Sequence, residues 1–266
     1  MSELTVSGKP RIWRESRIPI EAAGLLRSAL YRGESLDDAG GQPVLLVPGF
    51  MAGDDSLSTM TRWLRRTGHR TKCAGMRANT GCSEAAMEAL QERVVELSDR
   101  HERKVAIVGQ SRGGLLARVL AVRHPERVSG IVTLGSPHTD CFALHPLVRA
   151  QIVAVGVLGT LGFPGMFKAS CQFGGCCRVF TRQLTEEFPS GVGFVSVYSK
   201  RDGVVKWQAC LDPAAEHVEV SASHCGMAVH EGTYGAVAAA LAAFRAGEAE
   251  DEADDGGSVV DLRMAA

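Results

Sequence analysis

Residues 105–120 read VAIVGQSRGGLLARVL. Val105 to Val108 is a short continuous apolar run, the pattern of a strand buried on both faces. A helical segment, Arg112 to Arg123, follows and stops before Pro125. Between the two, Gly109-Gln110-Ser111-Arg112-Gly113 fits G-x-S-x-G. The pattern alone is common, and a glycine-rich turn with a capping serine would also satisfy it; its place between strand and helix gives it meaning. A serine at the tip of so tight a turn is expected in strained backbone, and side chains at 109 and 113 would collide with the neighbouring strand and helix. The helix N-terminus places positive potential where an oxyanion would develop. Ser111 is therefore the candidate nucleophile.

Working outward, the same alternation recurs. Pro43 to Val47 (PVLLV), Arg70 to Gly75, Val128 to Leu134 (VSGIVTL), Val192 to Tyr198 (VGFVSVY) and His217 to Val220 (HVEV) read as further strands. Helices are expected from Asp54 or Asp55 to Arg66, from an N-cap at Ser83 to Glu102, and from Met227 to Arg245. The expected fold is α/β: a mostly parallel central sheet of about six strands with helices on both faces. Residues 139–190 hold more chain than a βα connection needs and are expected to form a helical cap. Residues 1–35 read as an N-terminal arm, with Ile18, Ala22, Leu25, Leu26, Ala29 and Leu30 at helical spacing. Packing on the body is favoured over a membrane-surface helix because the apolar face is short. Residues 36–246 form the main domain, and 247–266 are expected to be an acidic, disordered tail.

These residues resemble the lipase and esterase branch of the α/β-hydrolases, particularly compact bacterial lipases, over roughly residues 42–245. The resemblance implies a chain order of nucleophile, acid and base. Asp202 follows one strand in VGFVSVYSKRDGVV, and His224 follows the next in HVEVSASHCGM. With Ser111 they would meet at the carboxyl edge of the sheet, where open α/β sheets bind ligands. Asp140 is the reserve acid. Leu45-Leu46-Val47-Pro48-Gly49-Phe50 ends the first strand in Pro-Gly, and the backbone N–H groups of Phe50 and Arg112 are the implied oxyanion donors. Pro48 stands where many relatives have histidine, and Arg112 is larger and more charged than the usual residue.

The expected activity is a serine hydrolase cleaving carboxylic esters with an apolar acyl chain. Acyltransferase or thioesterase chemistry on the same triad is the alternative, and a binding protein that kept the fold is the third reading. Met51, His138, Leu158, Phe163 and Phe167 are candidate substrate-binding residues. A formal net charge of -1 gives no reason to expect nucleic acid as a partner. The polar start MSELTVSGKPRIWRESR lacks the pattern of a signal peptide, so the cytoplasm is the expected location, with transient contact at a lipid surface allowed. Residues 150–167 carry no charge; Pro164 and the glycines favour a lid or core segment over a membrane span. Eight cysteines are too few for a disulfide scaffold and are expected to be mostly free and buried. Cys171, Cys176 and Cys177 form C-x4-C-C with Cys141 upstream, a poor match to zinc spacing, so no metal and no cofactor are expected. Cys210 and Cys225 flank the acid and base loops, and free thiols are favoured over a bridge between them.

Overall fold

Successive residues of a strand face opposite sides of a sheet, so a strand covered on both sides must be apolar throughout. Val44 and Leu46 of the first strand point into one core, with Leu25, Met60, Trp63 and Tyr234. Leu45 and Val47 point into the other, with Leu90, Val94, Leu116 and Leu120. The structure is a computed structural model and describes residues 10–34, 36–172 and 176–261.

The strands are β1 (Pro43–Val47), β2 (Arg70–Cys73), β3 (Val105–Gln110), β4 (Val128–Leu134), β5 (Gly193–Tyr198) and β6 (Glu216–Glu219). They form one sheet in the order β2-β1-β3-β4-β5-β6, with every pair parallel. The helices are α1 (Ile18–Arg27), α2 (Ala29–Arg32), α3 (Ser58–Arg66), α4 (Ser83–His101), α5 (Arg112–Arg123), α6 (Pro146–Thr160), α7 (Ala169–Gln172), α8 (Arg178–Gln183) and α9 (Glu231–Asp261). Helices α1, α3 and α9 cover one face of the sheet; α4, α5 and α8 cover the other. The strand order reverses between β1 and β3, so the loops leaving these two strands flank a crevice at the carboxyl edge.

The insertion after β4 carries α6, α7 and α8. Its first residues are tied to the loop after β5: His145 N–H donates to Val204 O (2.7 Å) and Lys206 N–H to Ala143 O (2.8 Å). Leu147, Val153, Val157, Leu161 and Phe163 leave the cap with an exposed apolar surface. No helix among the described residues is long and apolar enough to cross a membrane.

Three local expectations change. Cys82, not Ser83, is the N-cap of α4, because the Ser83 hydroxyl accepts from Arg112 instead (3.1 Å). The last helix does not stop at Arg245 but runs on to Asp261, and Arg103 fastens this extension at Glu248 (2.8 Å). Helix therefore replaces disorder over 247–261, while residues 262–266 and 1–9 lie outside the described residues. The cysteines are all free, but only Cys177 and Cys210 are buried.

Candidate active site

Ser111 sits between β3 and α5 with φ 51° and ψ −117°, a backbone conformation costly for a residue with a side chain. The two flanking glycines make the turn feasible. A Cβ on Gly113 would lie 2.2 Å from Val47 O, and one on Gly109 would lie 2.6 Å from the Gly113 carbonyl. Strand β1, helix α5 and the serine can approach one another only with hydrogens at these positions.

Asp202 and His224 arrive on the loops after β5 and β6, at the same edge of the sheet. Both are buried, and His224 Nδ1 lies 2.7 Å from Asp202 Oδ2. The other carboxylate oxygen accepts from Val204 N–H and Val205 N–H, each at 2.7 Å, so the acid is fixed from both sides. Burial opposes a charged imidazole most strongly, yet the Asp202 charge and hydrogen bond, helped by Glu15, hold the His224 pKa above its ordinary value. With Nδ1–H given to Asp202, Nε2 is left as the acceptor for a proton. Asp140 is exposed and caps its own turn by accepting from Phe142 N–H (2.9 Å).

Backbone bonds tie the serine turn to the acid–base pair. Ser111 N–H donates to Leu134 O (2.8 Å), and the Gln110 side-chain amide donates to His224 O (3.2 Å). Gly135 follows Leu134 with φ +60°, and a Cβ there would lie 3.1 Å from both Asp202 Oδ2 and His224 Nδ1. Among the described residues no hydrogen bond joins the Ser111 hydroxyl to the His224 ring. Such contacts often tighten only with a ligand in place.

Two sets of partners were invisible to motif reading. The first is in the arm. Glu15 Oε1 accepts from Gly203 N–H (3.1 Å) and His224 N–H (3.0 Å), and its Oε2 accepts from Cys225 N–H (2.9 Å). Glu21 accepts from Ser223 N–H (2.8 Å) and from the Ser223 hydroxyl (2.6 Å). These carboxylates satisfy the unpaired N–H groups around the short 3-10 turn Cys225–Val229 that follows His224. The only sequence trace is a carboxylate at 21 one turn before Leu25, on the buried side of α1. The second partner is Asn79, whose amide donates to Pro48 O (2.8 Å). The Arg112 guanidinium donates to Asn79 O (2.7 Å), Asn79 Oδ1 (2.8 Å) and Gly81 O (2.6 Å). Burial lowers the Arg112 pKa to about 10, still charged at neutral pH. Its side chain thus braces the loop that holds Phe50, and the residue also lines the cavity at Ser111.

A cavity of about 370 Å³ opens at Ser111 and is walled by Phe50, Leu115, Phe142, Ile152, Phe167 and Phe180, among others. Of the residues expected to bind substrate, Phe167 lines it. Met51 and Phe163 are exposed, and Leu158 sits away from its wall. His138 is buried elsewhere, its Nε2 3.1 Å from Thr133 Oγ1, its ring edge-on to Phe194 and its pKa lowered to about 3 by burial. A larger hollow of about 730 Å³ lies between Phe244 of α9 and the entry ends of β4 to β6, across the sheet from Ser111.

A family profile described as alpha/beta hydrolase fold matches residues 42–154. A triacylglycerol lipase of Burkholderia plantarii is 27% identical over 145 residues, 50% of this chain and 40% of that protein. A pimeloyl-acyl-carrier-protein methyl ester esterase of Klebsiella pneumoniae is 32% identical over 89 residues, 32% of this chain and 33% of that protein. The chain thus spans less than half the length of these relatives. The mature Bacillus licheniformis lipase BlEst2 superposes with a TM-score of 0.55 at 16% identity, covering 76% of this chain and 92% of that one. The six parallel strands with helices on both faces, the profile match over residues 42–154 and the likeness to BlEst2 together give the chain the alpha/beta hydrolase fold.

Proposed function

We propose that the protein hydrolyses carboxylic esters with an apolar acyl group, through an acyl-enzyme on Ser111. The observation that carries this reading is a buried Asp202–His224 pair on the loops after β5 and β6, at the same sheet edge as a serine in strained backbone that opens into an apolar cavity. In this reading His224 Nε2 takes the Ser111 proton as Oγ attacks the ester carbonyl. The N–H groups of Phe50 and Arg112 stabilise the oxyanion. The imidazolium returns the proton to the departing alcohol, and water repeats the steps to free the acid. Lipase and esterase names among the relatives agree with this chemistry.

The aromatic and aliphatic cavity wall favours longer acyl chains, since each buried methylene contributes about 0.8 kcal/mol. The exposed apolar side of the cap supports contact with a lipid surface that presents such chains. A nitrophenyl ester series from acetate upward tests the reading, run with wild type and Ser111→Ala. We expect kcat/KM to rise with chain length and the variant to lose about 10³-fold or more. Activity that falls steadily beyond acetate removes the acyl cavity; an unaffected variant removes the mechanism.

A further inference from the structure

Four thiols from three parts of the chain meet at one end of the cavity. Cys82 caps α4 at the edge of the core; Cys171 lies on α7; Cys176 and Cys177 precede α8. All four sulfurs lie within 4.8 Å of one another. The contacts are 3.1 Å for Cys171–Cys176, 3.3 Å for Cys82–Cys176, 3.4 Å for Cys82–Cys177 and 3.8 Å for Cys176–Cys177. A tetrahedral ion with bonds of about 2.3 Å to sulfur spaces its ligands about 3.8 Å apart. Disulfides would sort the sulfurs into two pairs, whereas here Cys176 approaches all three others.

Two sources of positive potential lie beside the cluster. The first N–H groups of α4 face these sulfurs, those of Glu84 and Ala85 toward Cys82 and those of Ser83 and Glu84 toward Cys177. The Arg112 guanidinium is near enough to feel the charge of Cys82, Cys171 and Cys177. A helix start and a buried cation together offset the double negative charge of a divalent ion held by four thiolates. The fold also lacks something here that an ion would supply. Helices of four and six residues, as α7 and α8 are, do not persist on their own propensity. C-x4-C-C with Cys141 upstream is a poor match to zinc spacing and predicts no metal; the fold instead brings in Cys82, some ninety residues upstream, where spacing gives no sign of it.

We propose that Cys82, Cys171, Cys176 and Cys177 bind one zinc ion and so fasten the second half of the cap to the core. Binding turns four thiols into thiolates and releases four protons, with no change of oxidation state. Soft tetrahedral sulfur ligation selects zinc over harder divalent ions. Cys171 and Cys177 also line the Ser111 cavity, so the ion would shape its wall.

The full chain, purified with reductant and without chelator, is expected to hold about one zinc per molecule by mass spectrometry of the metal. Cobalt(II) exchanged into it should show the intense thiolate charge-transfer and ligand-field bands of a tetrahedral site. Cys82→Ser and Cys177→Ser should each lose zinc to a chromophoric chelator at least tenfold more readily, while Cys73→Ser should retain it. Stripping the wild type should lower its Tm by about 5 °C or more. Ser111→Ala should keep full zinc, which separates this proposal from the fate of the hydrolase reading. Fewer than one zinc in ten chains, both as isolated and after incubation with zinc chloride, together with no cobalt bands, would overturn the site. Disulfides among the four cysteines in freshly isolated protein would overturn it as well, and one iron per chain would overturn the choice of ion.

Discussion

The serine turn and the acid–base loops belong to one candidate site, but they are held in different ways. The turn is fixed by its own neighbourhood: Gly109 and Gly113 let β3, α5 and the end of β1 close to distances that no side chain would permit. The loops bearing Asp202 and His224 have internal bonds, such as those from Val204 and Val205 N–H to Asp202 Oδ1, but also lean on distant partners. They are held from outside by Glu15 and Glu21 of the arm, by Arg14 donating to Lys200 O (3.0 Å), and by the start of the cap. One half of the site is marked by one short motif packed against the end of β1; the other half is assembled by contacts spanning some two hundred positions.

The strongest test of that contrast replaces the acid. Asp202→Asn should lower kcat by about 10⁴-fold, because the imidazole loses the partner that sets its tautomer and stabilises its charge. In the wild type the carboxylate raises the His224 pKa, so the acid limb of the kcat/KM profile should lie above the ordinary value of about 6.5. In the variant burial goes largely unopposed, and any residual limb should move down. Stability follows the same linkage: the pair's proton-linked contribution is complete below about pH 6.5 and is lost as pH rises through the raised value, a loss that urea titrations should find missing in the variant.

On the local half, Gly113→Ala should destabilise the fold by about 3 kcal/mol in urea unfolding, since its methyl group meets backbone rather than a yielding side chain. If the variant folds and works normally, the turn is not held as described. On the distant half, Glu15→Gln should keep the fold but reduce kcat/KM about tenfold and shift the acid limb to lower pH, because a hydrogen-bond acceptor and a charge near His224 are both lost. Glu21→Gln sharpens the point: it should cost about 1–2 kcal/mol of stability in the same titration and leave the limb in place. The smallest effect is expected at the C-terminal end. Arg103→Met removes a partly exposed tie to Glu248 and should change stability by under about 1 kcal/mol, with activity unchanged in the ester assay.

This division also explains what could be read in advance. All six strands lie close to where the sequence puts them; β1 and β3 are the clearest, because Pro43–Val47 and Val105–Val108 are apolar at every position, as a doubly covered parallel sheet demands, whereas the polar edge strands β2 and β6 are the faintest. Ser111 announced itself through glycines that neighbouring backbone requires. Asp202 and His224 followed from strand ends and chain order, and the structure places them in contact. The cavity was less legible. Cap residues such as Leu158 and Phe163 look the same in sequence as Phe167, and which side of a helix or loop meets the core depends on docking that periodicity does not record. Glu15, Asn79 and Cys82 were missed for a common reason: each acts through partners distant in the chain, and none sits in a spacing that marks it.

The arm's grip has a consequence for synthesis. Glu15 is made 209 residues before the imidazole whose backbone it binds. At translation rates of roughly 5–20 residues per second, that carboxylate waits on the order of ten to forty seconds for its partners. A ribosome-bound fragment can bury its serine turn during that interval while the base is still untranslated. The catalyst proposed here would thus stay silent on the nascent chain until residue 224 has been added and can reach its partners.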